Sequence, residues 1–249
     1  LYGSTLIQRE PTDTEPAETA NKEKLMLFKN IGLVDENFGY RSNMYIGTEG
    51  DTVTYIGTAA PENKERFGEE YDGTGKVLMP GFYNAHGHSP MSLMRGYGEN
   101  LSLDAWLNTR IFPFEDKLYD EAVYWSTLNT MAESLQFGIV STSDMYFNVD
   151  AMVQAYTESG ARGNISRCVA NPMGADMETL PGFVEARQAV AKHHNSADGR
   201  IRIDISGHAE YTTNGETLRV LSEEAKKSNL NMHIHVAETE FETKGCIER

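Results

Sequence analysis

The chain has 249 residues, with 37 acidic against 22 basic side chains and a formal net charge of −15. So acidic a surface repels phosphate backbones and anionic headgroups, which argues against nucleic acid and membrane surfaces as partners. The length is enough to bury a core without staples, no stretch approaches the roughly 18 apolar residues of a bilayer span, and Cys168 and Cys246 have no CxxC or metal-finger spacing, so they read as free thiols in a reducing, cytoplasmic setting. Leu1 onward lacks the basic and apolar regions of a signal peptide, and the missing initiator methionine suggests a trimmed, tagged or incomplete chain.

Residues 1–23 are rich in Thr, Glu and Pro and read as a tail or linker, in which Tyr2–Ile7 could add an edge strand. Residues 24–75 read as part of a small β domain. Short β-like runs at Leu25–Phe28, Met44–Ile46 and Val53–Ile56 are punctuated by turn residues such as Asn37, Gly39, Gly50 and Asp51.

From Lys76 to the end (residues 76–249), strands and helices alternate. Val77–Ala85 is a strand candidate running into His86. Asp120–Phe137 carries Ala122, Trp125, Leu128, Met131, Ala132 and Leu135 at helical spacing. Ile139–Met145 is the next strand. Asn148 is placed to cap a helix through Met152, Ala155 and Tyr156, with Gly160 to stop it. Arg162–Val169 is a third strand, Phe183–His194 a helix, and Ile201–Ser206 a fourth strand. Thr213 and Glu216 have capping-box spacing ahead of a helix through Leu218, Leu221 and Ala225, and Asn231–Val236 is a fifth strand. Repeated βα units imply a parallel sheet with crossover helices, so the expected fold is α/β, a TIM-type (β/α)8 barrel preceded by the small β domain. Only about five units are counted, so the barrel is expected to be incomplete. Its open edges would favour a homo-oligomer or association with a missing C-terminal segment.

Histidines mark the ends of these strands. In Asn84-Ala85-His86-Gly87-His88, alternate residues of a strand share a face, so both imidazoles can reach one metal ion. In His233-Ile234-His235-Val236-Ala237-Glu238-Thr239 the same alternation leaves His233 and His235 both eligible, with Glu238 placed to handle protons. His208 ends the fourth strand in Gly207-His208-Ala209-Glu210-Tyr211-Thr212. In barrels that end of the strands holds the chemistry. His193 and His194 close a helix and read as solvated residues of its last turn.

The run from Met79-Pro80-Gly81-Phe82 through His88, with Met94-Arg95-Gly96, Leu103-Asp104-Ala105-Trp106-Leu107, Phe112-Pro113-Phe114-Glu115, Asp144-Met145-Tyr146 and His235-Val236-Ala237-Glu238-Thr239, resembles the amidohydrolase superfamily. Within it the similarity is greatest to methylthioadenosine/S-adenosylhomocysteine deaminases and their chlorohydrolase relatives, over about residues 25–245. The resemblance implies His86, His88 and His235 as metal ligands, His233 as a barrel residue, Glu238 as the acid/base, and His208 and Trp106 as substrate contacts. It implies one divalent ion, zinc or alternatively iron, and a small-molecule substrate. A further histidine and a metal-bound aspartate of the family come from later strands that this chain does not contain, so the chain alone is expected to be inert or complemented.

The activity implied is metal-dependent hydrolytic deamination of an adenosine-like nucleoside or a related aminated heterocycle. The alternatives are a guanine or cytosine deaminase, a chlorohydrolase, or a truncated non-catalytic fragment. The segment of residues 171–182 has no Arg or Lys to clamp an amino-acid carboxylate, which leaves Arg162 and Arg167 as the candidates for that task.

Overall fold

The computed structural model describes residues 25–248, which divide between Pro80 and Gly81 into two units. The expected tail and the edge strand at Tyr2–Ile7 lie outside the described residues.

The first unit is built around β1 (Leu25–Val34). β1 pairs antiparallel with β2 (Tyr40–Glu49), and β2 with β3 (Thr52–Gly57). On its other edge β1 takes two short parallel partners, β4 (Glu69–Asp72) and β5 (Val77–Leu78). Ile31, Leu33, Met44 and Ile46 form the core. β1 and β2 run for ten residues each, well beyond their apolar runs. The ladder carries polar residues such as the half-buried Lys29, paired with Glu70, and the exposed Arg41, and apolar patterning alone does not register them.

The strand expected over 77–85 is two strands. Val77–Leu78 joins the first sheet, and β6 (Phe82–Gly87) begins the second. Pro80 has no N–H to give to a ladder. Gly81 runs so close to Val140 that a Cβ there would lie 2.6 Å from its Cγ1.

The second unit repeats strand and helix. After β6 come short helical segments at Ser89–Met94, Leu103–Trp106 and Phe112–Glu115, then α1 (Asp120–Gln136), β7 (Ile139–Tyr146), α2 (Val149–Ser159) and β8 (Arg162–Val169). α3 (Pro181–His193), β9 (Ile201–Ala209), α4 (Gly215–Lys227), β10 (Met232–His235) and α5 (Glu240–Glu248) follow. The five strands are all parallel and lie in chain order, β6 to β10. This is the α/β, part-barrel architecture expected, accompanied by a separate β sheet.

Helices pack on the sheet through two apolar clusters. Val123 and Met131 of α1 and Met152 and Tyr156 of α2 meet Ile165, Ile201 and Ile203. Phe183 and Ala186 of α3 and Leu221 and Ala225 of α4 meet Val169 and Ile205. Each fully buried isoleucine of the strands contributes about 1.5–3 kcal/mol of transfer free energy.

Two helix boundaries differ from expectation. Asn148 precedes α2 with left-handed backbone (φ 46°), but its amide donates to Asp120 Oδ1 at 2.7 Å and does not cap the helix. Gly160 ends α2 at φ 78°, a conformation glycine adopts without steric cost. α4 is capped by Asn214, whose Oδ1 accepts the N–H of Thr217 at 2.9 Å. Thr213, the expected cap, instead donates its hydroxyl to the carbonyl of Ala209 at 2.6 Å.

Candidate metal centre and cavity

Five of the seven histidines converge where the parallel strands end. His86 lies on β6 and His88 immediately follows it. His208 is on β9, and His233 and His235 are on β10. The Nε2 atoms of His86, His88 and His235 form a near-equilateral triangle, 3.2, 3.1 and 3.1 Å on a side.

Their second nitrogens decide what this triangle is for. His88 Nδ1 lies 2.5 Å from the carbonyl of Met145, and His235 Nδ1 lies 2.7 Å from that of His208. A carbonyl only accepts, so each Nδ1 carries the proton and each Nε2 presents a lone pair. Two lone pairs facing one another at 3.1 Å repel unless a cation lies between them. Ligand nitrogens held about 2.0–2.1 Å from one zinc-sized ion at a near-tetrahedral angle stand roughly 3.3 Å apart, close to the triangle's sides. The three histidines could therefore hold a metal ion.

Electrostatics agree with the geometry. Burial, reinforced by repulsion from His88, His235 and His233, lowers the His86 imidazole to about 4. Burial also lowers His88 and His233. For the ligand candidates His86 and His88 this favours the neutral imidazole, the form that ligates a metal.

Other side chains steady these rings. His233 Nε2 lies 2.8 Å from His86 Nδ1, behind the triangle. Asp144 of β7 is fully buried, and its carboxylate accepts the N–H of Ser89, the residue after His88, at 2.9 Å and the hydroxyl of Tyr156 at 2.8 Å. Burial raises the Asp144 carboxyl above its ordinary range, against the opposing pull of these two donors.

A cavity of about 500 Å³ opens in front of the triangle. Glu238 lines it, with Oε2 accepting the hydroxyl of Tyr211 at 3.2 Å. His208 lines it too, its Nδ1 2.7 Å from Thr212 Oγ1, and burial followed by repulsion from His235 and His88 lowers its imidazole to about 4. Trp106 contributes a wall, with Nε1 donating to the carbonyl of Tyr97 at 3.2 Å. All six residues singled out from the sequence therefore border one cavity.

Sequence reasoning missed Glu115 and Tyr146, which line the same space. Burial raises the Glu115 carboxyl, and the neighbouring Tyr146 hydroxyl partly offsets it. The Cys168 thiol also lines the cavity and is pushed up to about 12 by burial, so it stays protonated. Arg167 faces elsewhere: its guanidinium pairs with Glu185 at 2.6 Å and stacks over Phe147. Among the described residues, neither Arg162 nor Arg167 lines the cavity. His193 and His194 are apart from the cluster as expected, and both are partly buried with hydrogen-bond partners. His193 Nε2 binds Asp150 at 2.6 Å, and the His194 ring meets the backbone of Ile203.

Residues 77–249 match the amidohydrolase family. The chain belongs to that family. Relatives of this amidohydrolase include a 5-methylthioadenosine/S-adenosylhomocysteine deaminase of Thermoanaerobacter pseudethanolicus, 37% identical over 228 residues, or 90% of this chain and 52% of the relative. A deaminase of the same description from Archaeoglobus fulgidus is 35% identical over 205 residues, 82% of this chain and 48% of the relative. The amidohydrolase chain thus spans about half the length of the curated relatives it matches. Among solved structures, a zinc-bound adenosine deaminase from Xanthomonas campestris superposes with a TM-score of 0.78 at 23% identity, covering 90% of this chain and 52% of that one. An atrazine chlorohydrolase mutant from Arthrobacter aurescens, complexed with zinc and atraton, gives 0.74 at 17% identity over 84% of this chain and 52% of that one. At those identities the likeness is one of fold. Among the described residues no helix is long and apolar enough to cross a membrane.

Proposed function

We propose that this amidohydrolase is a zinc-dependent hydrolytic deaminase of an adenosine-like nucleoside or a related aminated heterocycle. The observation that carries the reading is the Nε2 triangle of His86, His88 and His235 at the wall of a cavity that Glu238 also lines. The deaminase descriptions of relatives sharing 35–37% identity support the choice of an amine as leaving group.

In this reading the three histidines hold the ion. When bound, a divalent cation supplies Lewis acidity that makes hydroxide available near neutral pH. Glu238 takes the proton of the attacking water, delivers it to the ring nitrogen next to the amine-bearing carbon, and then assists its transfer to the amine. The oxygen of water becomes bonded to that carbon, the C–N bond breaks, and ammonia leaves. Tyr211 holds Glu238 from one side. His208 orients the heterocycle, and Trp106 with the apolar wall excludes bulk water. Glu115 stands in the same cavity as an acceptor suited to the hydroxyls of a sugar.

The test is ammonia release from adenosine, methylthioadenosine, guanine, cytosine and an amino-triazine, with zinc content measured on the same sample. Turnover of a purine nucleoside with about one zinc per chain is expected. Silence across the panel in metal-loaded protein would sink the reading.

A further inference from the structure

Between the end of β10 at His235 and the start of α5 at Glu240, the chain must reverse and still return a second side chain to the cavity. In a continuing strand His235 and Ala237 would share the cavity face, and Glu238 would point away. Ala237 breaks that alternation. Its φ is +56°, a left-handed conformation that a residue with a side chain holds only when its surroundings impose it. Glu238 thereby comes to line the cavity alongside His235.

Glu242 is what imposes the turn. It is 2% exposed, and its carboxylate accepts the N–H of Ala237 at 3.2 Å through Oε1 and the N–H of Glu238 at 2.6 Å through Oε2. Its own N–H donates to Thr239 Oγ1 at 3.1 Å. Thr239 and Glu242 have capping-box spacing, but this carboxylate reaches past the capping residue and grips the two amides before it. A carboxylate withdrawn from water needs such donors, and the first turn of a helix favours its charge. Glu242 does not line the cavity, so it acts through the backbone of its neighbours.

We propose that Glu242 is a positioning residue that locks the Ala237–Glu238 turn and so aims the Glu238 carboxylate at the reacting atoms. The inference rests on the proton-transfer role proposed above for Glu238. A misplacement of about 1 Å at a reacting group costs up to about 10²-fold in rate, which sets the scale of the effect.

The experiment compares zinc-loaded wild type, Glu242→Ala and Glu242→Gln in adenosine turnover, zinc content, and hydrogen exchange at the amides of Ala237 and Glu238. For E242A, kcat is expected to fall by about 10²-fold, with KM within about twofold and zinc content as in wild type. E242Q keeps one acceptor oxygen and is expected to lose only about tenfold. Both amides should exchange faster in E242A, and that of Glu238 should stay protected in E242Q.

Wild-type kcat in E242A overturns the proposal. So does an equal loss in both variants accompanied by loss of zinc, because that pattern marks general damage to the fold. If E242A does not fold, E242Q decides: a tenfold loss of kcat at unchanged KM supports the proposal, and wild-type kcat overturns it. If wild type releases no ammonia, the reading of Glu238 fails separately. Exchange then decides alone, and unaltered exchange at Ala237 and Glu238 in E242A would overturn the hold assigned to Glu242.

Discussion

His86 and His235 stand on the two edge strands of the five-stranded parallel sheet, yet their Nε2 atoms are 3.1 Å apart. Four inter-strand spacings would set the edges of a flat sheet roughly 19 Å apart. The sheet is therefore strongly curled, and its curvature brings the first and last strands to one point. With protons fixed on Nδ1 of His88 and His235 by two carbonyls, that point is ringed by lone pairs.

Metal removal should be costly. At a free zinc concentration of 100 times Kd, a ligand that binds only the folded state adds about 2.7 kcal/mol, or roughly 5 to 10 °C in Tm for a chain of this size. Calorimetry before and after chelation, then after zinc is returned, measures the effect. An unchanged melting curve would count against the triangle as a metal site.

His233→Phe is expected to weaken zinc binding about 10- to 100-fold while leaving all three ligands in place. His233 lies 2.8 Å from His86 Nδ1 and steadies that ring, which phenylalanine cannot do. Competition with a chromogenic chelator reads the affinity. Wild-type affinity in H233F would show that His233 only fills the barrel wall.

Asp144→Ala strands the N–H of Ser89 and the hydroxyl of Tyr156. Losing these partners in a fully buried site is expected to cost about 2–5 kcal/mol. Tyr156→Phe removes one donor to the carboxylate and is expected to cost about 1.5–3 kcal/mol. Urea midpoints at constant m-value check both, and a D144A protein as stable as wild type would contradict the network.

Glu115 sets a pH dependence. Burial, only partly opposed by the neighbouring Tyr146 hydroxyl, holds the folded-state carboxyl above its ordinary 4.5. The folded chain therefore binds this proton more tightly than the unfolded chain. The contribution to stability is full below about 4.5 and declines as pH rises toward the folded-state value. Glu115→Gln should flatten this decline and raise stability at neutral pH, while weakening binding of a sugar-bearing substrate. Urea midpoints at pH 4, 5, 6 and 7 for both proteins decide it, and parallel profiles would refute it.

The repeating βα architecture was legible in the sequence because each strand is an apolar run and each helix has its own period. The pair His86 and His88 was legible for the same reason, since alternation in a strand is local. What escaped depended on register and on distance along the chain. Asp144 lies 55 residues from Ser89, and only the pairing of β6 with β7 brings them together. Glu115 reaches the cavity through successive short helical turns that carry no sustained period. Alternation left His233 and His235 equally eligible. The two differ in what their rings meet, His235 the triangle and His233 the back of His86. The run at 77–85 looks continuous because its apolar character does not change where the chain passes from one sheet to the other at Pro80 and Gly81.

The curl of the sheet also bears on how the chain acquires its fold. His86 and His235 are 149 residues apart in sequence, so their meeting closes a very long loop that spans every intervening strand. Such nonlocal contacts are slow to form, although the entropy of closing a loop grows only logarithmically with its length. A cation seated between the two strands would act as a clasp that fastens late, and metal uptake during refolding would track completion of the sheet and lag behind the formation of its helices.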